Sequence, residues 1–172
     1  MIRLLEFDPA VLSYREQPEP LTYYEGGRKR KYTPDFIAEM ISGVTVFEVK
    51  PSDQANTSPL RERLLAFKKQ YAEQGISYLV MTDREIRKEP RLSNVIKLLR
   101  YQREIVSAEN KDIIFDAVGS DGQTLGGLQL YVHKQGVQVT QIYALISQGI
   151  LTIDINQPIN DPDAPIYLRS AS

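Results

Sequence analysis

The residues of this chain whose types and spacing suit chemistry are few: Asp35, in Thr33-Pro34-Asp35 at the start of one predicted strand, and the Glu-x-Lys of Phe47-Glu48-Val49-Lys50 on the next. Two carboxylates can hold a hard divalent cation, Mg²⁺ or Mn²⁺, through oxygen, and the Val49 carbonyl is a plausible third contact. Lys50 would then orient or help deprotonate an attacking water, while the metal stabilises charge on a scissile phosphate. The layout is that of metal-dependent phosphodiester hydrolysis. An edge hairpin whose Glu48 and Lys50 merely face solvent carries the same short pattern, so spacing alone leaves both readings open.

Two strands must position these groups. Residues two apart on a strand share a face, so Glu48 and Lys50 point the same way, roughly 7 Å apart along the chain. The apolar runs 36–41 and 44–50 flank Ser42-Gly43. A two-residue turn there pairs Ile41 with Val44 and sets Asp35 opposite Lys50, on the face that also carries Glu48. A three-residue turn would send Asp35 to the other face. Pro34 holds Thr33 extended and opens the strand where a missing N–H costs little. Three charged groups among apolar strand residues are costly to bury without a metal or mutual pairing.

Around this pair the chain reads as an α/β layer. Leu4, Leu5 and Phe7 look like the tail of a helix that stops at Asp8-Pro9, with most of that helix expected before Met1. A strand is expected over 11–16, then a hairpin from 21–24 through Gly26-Gly27 to Tyr32. Ser58 as cap, Pro59 and the stripe Leu60, Leu64, Phe67, Tyr71 predict a helix ended by Gly75, followed by a buried strand over 76–81. Three strands, a helix and a strand give a mixed sheet flanked by helices. Another helix is expected over 94–103. Past about 107 the pattern changes to helices near 109–118, 124–135 and 139–148, then strands over 150–155 and 166–168, the outline of a small winged helix. The predicted domains are therefore 1–106 and 107–172.

Composition removes alternatives. No cysteine is present, which excludes thiol nucleophiles and Cys-ligated zinc, and a lone His133 excludes multi-histidine metal sites. The 21 basic and 22 acidic residues nearly cancel, so any nucleic-acid contact must come from a local patch or a partner. Arg28, Lys29, Arg30 and Lys31 form such a patch; they suit DNA phosphates, or else a solvated hairpin tip. Tyr23, Tyr24 and Tyr32 could stack on bases, although tyrosines also suit strand packing. The helix over 140–148 occupies the recognition position of a winged helix, yet Gln141, Tyr143 and Ser147 bring no positive charge, and Asp154, Asp161 and Asp163 flank it; protein binding fits this better than groove reading. No apolar run suits a membrane span and the N-terminus has no signal-peptide pattern, so a cytoplasmic location is expected.

Leu4-Leu5-Glu6-Phe7-Asp8-Pro9, Tyr14-Arg15-Glu16-Gln17-Pro18, Arg30-Lys31-Tyr32-Thr33-Pro34-Asp35-Phe36 and Phe47-Glu48-Val49-Lys50-Pro51 are four ordered motifs. Together they resemble TnsA, the endonuclease subunit of heteromeric transposases, over residues 1 to about 105; the remainder resembles that family's C-terminal winged-helix domain. The resemblance implies a PD-(D/E)xK fold of restriction-endonuclease type and Mg²⁺- or Mn²⁺-dependent cleavage of 5′ strands at transposon ends. It implies as partners DNA, the transposase TnsB, which cuts and joins the 3′ ends, and the ATPase TnsC, which contacts the C-terminal domain. By motif match Asp35 and Glu48 become metal ligands and Lys50 the active-site lysine. The family's first-helix Glu would fall about eight residues ahead of the position matched by Glu6, upstream of Met1. About eight helical residues span roughly 12 Å, so Glu6 is not expected to replace it. Two other readings follow: a non-catalytic adaptor that recruits transposase and ATPase, and an unrelated PD-(D/E)xK restriction or repair nuclease.

Overall fold

The computed structural model describes residues 1–55 and 57–169. Its elements begin with helix α1 (Ile2–Phe7), strands β1 (Val11–Glu16), β2 (Leu21–Glu25), β3 (Arg28–Tyr32), β4 (Phe36–Met40) and β5 (Gly43–Lys50). Helix α2 (Ser58–Ala72), strand β6 (Ser77–Thr82) and the one-turn helix α3 (Asp83–Ile86) follow. Packing separates residues 10–87 from a second compact unit that combines residues 2–9 with 88 onward.

The first unit is a mixed α/β layer. Its sheet runs β1-β4-β5-β6, with β5 antiparallel to β4 and parallel to β6. The parallel pair requires a crossover, and α2 supplies it. Pro59 sits at the start of α2, where a missing N–H is harmless, but the cap residue is Thr57, not Ser58, and its side chain makes no capping bond. Leu64, Phe67 and Tyr71 form the buried stripe of α2 and pack with Val46 of β5 and Tyr78 of β6. Gly75, at φ 71°, ends the segment in a conformation that side chains with a Cβ avoid.

The hairpin β2–β3 pairs Leu21 with Tyr32 through to Glu25 with Arg28. Gly26 and Gly27, at φ 56° and 74°, make the tight turn that this twist demands. The hairpin stays outside the larger sheet as a two-stranded ribbon. Two of its rings reach α2: Tyr32 stacks on Phe67 at 4.2 Å, and Tyr23 meets the same ring edge-on at 5.0 Å.

One turn differs from expectation. Met40 pairs with Gly43 and Phe36 with Phe47, so Ile41-Ser42 form the turn and the register lies two residues from the predicted one. Gly43, at φ 115°, takes a backbone conformation that suits glycine, and it does so as the first residue of β5 instead of inside the turn. Continued by one step, this register sets Asp35 across from Glu48, not Lys50. A slip of two keeps every side chain on its face.

The second unit contains α1 and the elements α4 (Arg91–Leu99), α5 (Ala108–Val118), β7 (Gln123–Thr124), α6 (Leu125–Lys134), α7 (Thr140–Ser147), β8 (Leu151–Ile153) and β9 (Pro165–Leu168). Packing divides the chain after Arg87, earlier than the change of sequence pattern near 106, because Leu98 and Val106 join the core of this unit with Ile114, Leu128 and Leu145. The buried amide of Asn94 adds to the tie, donating to the carbonyls of Ile155 and Gln157 at 2.9 and 2.8 Å. A strand not expected from sequence, β7, pairs with β9 and makes the small sheet β7-β9-β8 three-stranded. Gly126 allows this closure: a Cβ there would meet Pro162 Cβ at 2.8 Å. Among the described residues no helix is long and apolar enough to cross a membrane.

Phe67 is 1% exposed and carries two hairpin rings, so Phe67→Ala is expected to lower the unfolding free energy by about 3–5 kcal/mol, read by urea denaturation.

Candidate active site

Strand β5 carries Val46, Glu48 and Lys50 on the face covered by α2. Glu48 is 1% exposed, an extreme burial for a carboxylate. Its Oε1 accepts a charge-assisted hydrogen bond from Lys50 Nζ, and the Lys50 side chain keeps about a quarter of its surface in solvent. The other oxygen, Oε2, is buried and has no hydrogen-bond partner. A buried carboxylate oxygen without a donor is unfavourable by itself, and a cation at that oxygen would relieve it.

Asp35 reaches the same place from the bend ahead of β4. Its Oδ2 accepts from the Val49 N–H at 2.7 Å, and its carbonyl accepts from Gln17 N at 2.9 Å. Gln17 adopts φ 44°, uncommon for a residue with a Cβ, to make that bond at the end of β1. The β4–β5 ladder stops at Phe36–Phe47, so the Asp35 side chain satisfies the Val49 N–H beyond it. Asp35 is thus tied to the backbone of Val49, the residue between Glu48 and Lys50 on β5. The chain leaving β5 is also fixed: Ser52 N donates to Asp83 Oδ1 at 2.7 Å, and hydrogen bonding from Ser52 holds the Asp83 carboxyl below its ordinary range.

Three phenols lie near enough to Glu48 to feel its charge. Tyr78 pairs with Val46 across the parallel ladder, which sets it on the Glu48 face. Its hydroxyl lies 3.4 Å from that of Tyr32, and its ring stacks on Tyr71 at 5.5 Å. Burial first, then the approach to Glu48 and to Tyr78, pushes the Tyr32 hydroxyl far above the ordinary phenol range. That approach raises the pKa without giving Oε2 a hydrogen bond of normal geometry. Tyr78 and Tyr71 are also shifted up, by burial first and then by the Glu48 charge, while the Tyr32 contact pulls Tyr78 the other way. Of these three, sequence reading singled out only Tyr32, and as a stacking candidate. Tyr78 carried no signal, because only the β5–β6 register brings it to Glu48.

Arg28, Lys29, Arg30 and Lys31 make up most of β3, and all four are exposed. Lys29 pairs with Tyr24 and Lys31 with Thr22; Tyr24 is 72% exposed. The run leads through Tyr32 to Asp35. In the second unit, every residue of α7 is buried or half-buried. Thr140 donates to Glu104 at 2.9 Å, Gln141 accepts from Asn110 at 2.9 Å and the Tyr143 hydroxyl accepts from Gln129 at 3.1 Å. The polar side chains of this helix are therefore committed inside the unit.

Residues 8–83 match the family described as TnsA-like endonuclease N terminal. That stretch is similar to the N-terminal nuclease domain of TnsA-like endonucleases. It runs from the end of α1 through β6 and includes Asp35, Glu48 and Lys50. No curated protein matches the chain. The family suggests a nuclease role in transposition, with DNA as the substrate class.

The residues present suit a divalent cation as a two-carboxylate cradle: Asp35 with an oxygen not committed to Val49 N, and Glu48 with the orphaned Oε2. Among the described residues no group of three or more acidic, His or Cys side chains that could hold a metal ion comes together, so a cation here would have two carboxylates to bind it.

Removing Lys50 alone leaves a buried charge without its compensation. Lys50→Met is expected to cost about 3 kcal/mol of stability, and the double variant Glu48→Met/Lys50→Met to recover most of it. Urea denaturation of the four proteins of the cycle measures the coupling, and additive single effects would contradict the pairing.

Proposed function

We propose that the protein is a Mg²⁺- or Mn²⁺-dependent DNA endonuclease subunit of TnsA type, cutting the 5′ strands at transposon ends inside a larger assembly. The observation that carries this reading is the buried Glu48 with one oxygen held by Lys50 and the other left open, beside Asp35, in a segment that matches the family. When bound, the metal supplies charge stabilisation to the scissile phosphate and lowers the pKa of a bound water.

The protein's own groups have distinct tasks. Asp35 and Glu48 hold the ion, with the Val49 carbonyl as a further contact. Lys50 fixes the orientation of Glu48 through Oε1 and, from its partly exposed position, orients or helps deprotonate the attacking water. Arg28, Lys29, Arg30 and Lys31 bind phosphates of the duplex without reading its sequence, which suits an enzyme delivered to its site by others. The near balance of 21 basic against 22 acidic residues favours the same dependence on partners. TnsB and TnsC are the partners the family resemblance implies. Helices α5, α6 and α7 and the small sheet of the second unit are read as a winged helix that binds protein, TnsC foremost, because the polar groups of α7 are already taken.

A cradle of two carboxylates favours one other reading, a non-catalytic adaptor that keeps the nuclease scaffold to recruit transposase and ATPase. Nicking of supercoiled DNA carrying transposon ends, with Mg²⁺ or Mn²⁺ and with the partner proteins, separates the two. The wild type is expected to nick, and Lys50→Ala to nick about 100-fold more slowly or worse. Equal rates would remove Lys50 from the chemistry, and no metal-dependent nicking by the wild type would favour the adaptor.

A further inference from the structure

The sheet of the first unit has two edges, and they are built differently. At one, β1 shifts register between Val11 and Ser13, the mark of a bulge, and carries Arg15 and Glu16, with Arg15 paired to Glu19 at 3.4 Å. Bulges and charges of this kind keep a strand edge from pairing with another chain. The other edge has neither. Strand β6 reads Ser77-Tyr78-Leu79-Val80-Met81-Thr82, without charge or proline, and it pairs with β5 from Ser77 to Thr82 with no shift of register. Its composition is that of an interior strand, yet it has a neighbour on one side only. Among the described residues, no backbone hydrogen bond outside the β5 ladder is made by residues 77–81, so main-chain N–H and C=O groups stay open along this edge. Beside it lies a groove of about 410 Å³ against α2, lined in part by Leu65 and Leu79, which are 56% and 46% exposed. Arg61 and Lys68 also line it, both exposed and two helical turns apart. The acidic side chain in the lining, Glu85, is committed to the cap of α3, where it accepts from Thr82 N and Oγ1 at 2.7 Å each. The uncommitted charge of the groove is therefore positive.

We propose that the β6 edge and this groove receive an extended, acidic segment of a partner protein, which joins the sheet as a further strand. Main-chain hydrogen bonds to the open edge supply the affinity and the direction of the segment, and its side chains supply the choice of partner. Tyr78 and Val80 pack on the α2 side of the sheet, so Leu79 lies on the opposite face. An added strand alternates in the same way. Every second side chain faces Arg61 and Lys68, where carboxylates suit, and the others lie beside Leu79, where apolar groups suit. The two cations stand about 10 Å apart along the helix, within reach of carboxylates two to four residues apart on a strand. A second copy of this chain fits less well, because pairing two β6 edges about a two-fold axis sets Arg61 and Lys68 of one copy beside those of the other. Duplex DNA would meet the two cations but leave the leucines and the open main chain without partners. The surface is independent of the metal site of the proposed function.

The probe is an acetylated, amidated heptapeptide of alternating glutamate and valine, with the lysine and valine peptide of the same design as its opposite. Titrated into the ¹⁵N-labelled full chain, the glutamate peptide is expected to shift the amide signals of residues 77–81 and to slow their hydrogen exchange, with a Kd below about 1 mM. Arg61→Glu/Lys68→Glu is expected to weaken that binding about tenfold, the size of two exposed ion pairs, and to turn the preference toward the lysine peptide. Both positions are exposed, so the melting temperature of the variant should match that of the wild type. Amides of residues 77–81 unmoved at about 1 mM glutamate peptide would overturn the proposal, as would equal binding of the two peptides by the wild type. Two further results would replace the occupant and so also overturn it: duplex DNA, and not the peptide, shifting signals around Arg61 and Lys68, or a dimer in sedimentation that Leu79→Lys dissociates.

Discussion

A carboxylate almost wholly removed from water must be compensated, and most of the first unit can be understood from how this is done at Glu48. Lys50, two residues on along the same strand face, supplies the charge at Oε1 while its stem leads outward to solvent. The pairing is possible only because β5 is an interior strand with β4 on one side and β6 on the other, so that the Glu48 face is roofed by α2 while its end stays open at Lys50. A buried pair of this kind adds little net stability, since desolvation offsets most of the attraction. Its place beside Asp35 suits a functional role more than a stabilising one.

The aromatic layer extends the same logic. Phe67 of α2 gathers Tyr32, Tyr23 and Tyr78 from three different strands, and in doing so ties the β2–β3 ribbon to the sheet that holds the site. The basic residues of β3 are thereby placed one short segment from Asp35. Hydrophobic burial, the non-directional force, positions the ribbon; the hydroxyls of Tyr32 and Tyr78, which are directional, then meet each other at 3.4 Å. Packing and chemistry share the same side chains here.

Much of this was legible from residue order. The two-residue periodicity of Val46, Glu48 and Lys50, the Gly26-Gly27 turn and the α2 stripe each specify their element by local physics, and those elements formed within a residue or two of expectation. The face of Asp35 rested on an even turn, and a turn misplaced from Ile41-Ser42 to Ser42-Gly43 kept that parity while changing the residue opposite Asp35. What was not legible rests on contacts distant in sequence. The hydrogen bond from Val49 N to Asp35, the approach of Tyr78 to Tyr32 and the membership of α4 and α1 in the second unit all need chain segments whose pairing no local pattern encodes.

The sequence by itself determined which groups could act, Asp35, Glu48 and Lys50, and that Glu48 and Lys50 would share a strand face, because residue type and strand alternation are local properties; the face of Asp35 depended on the length of the turn. Only the tertiary structure decided that Glu48 is buried with one oxygen paired and one orphaned, and that phenols from β3 and β6 stand around it. The physical reason is that burial and dielectric environment are set by what covers a face. For Glu48 that cover comes from α2, the β2–β3 ribbon and a parallel strand almost thirty residues away, joined by a register that side-chain alternation does not specify.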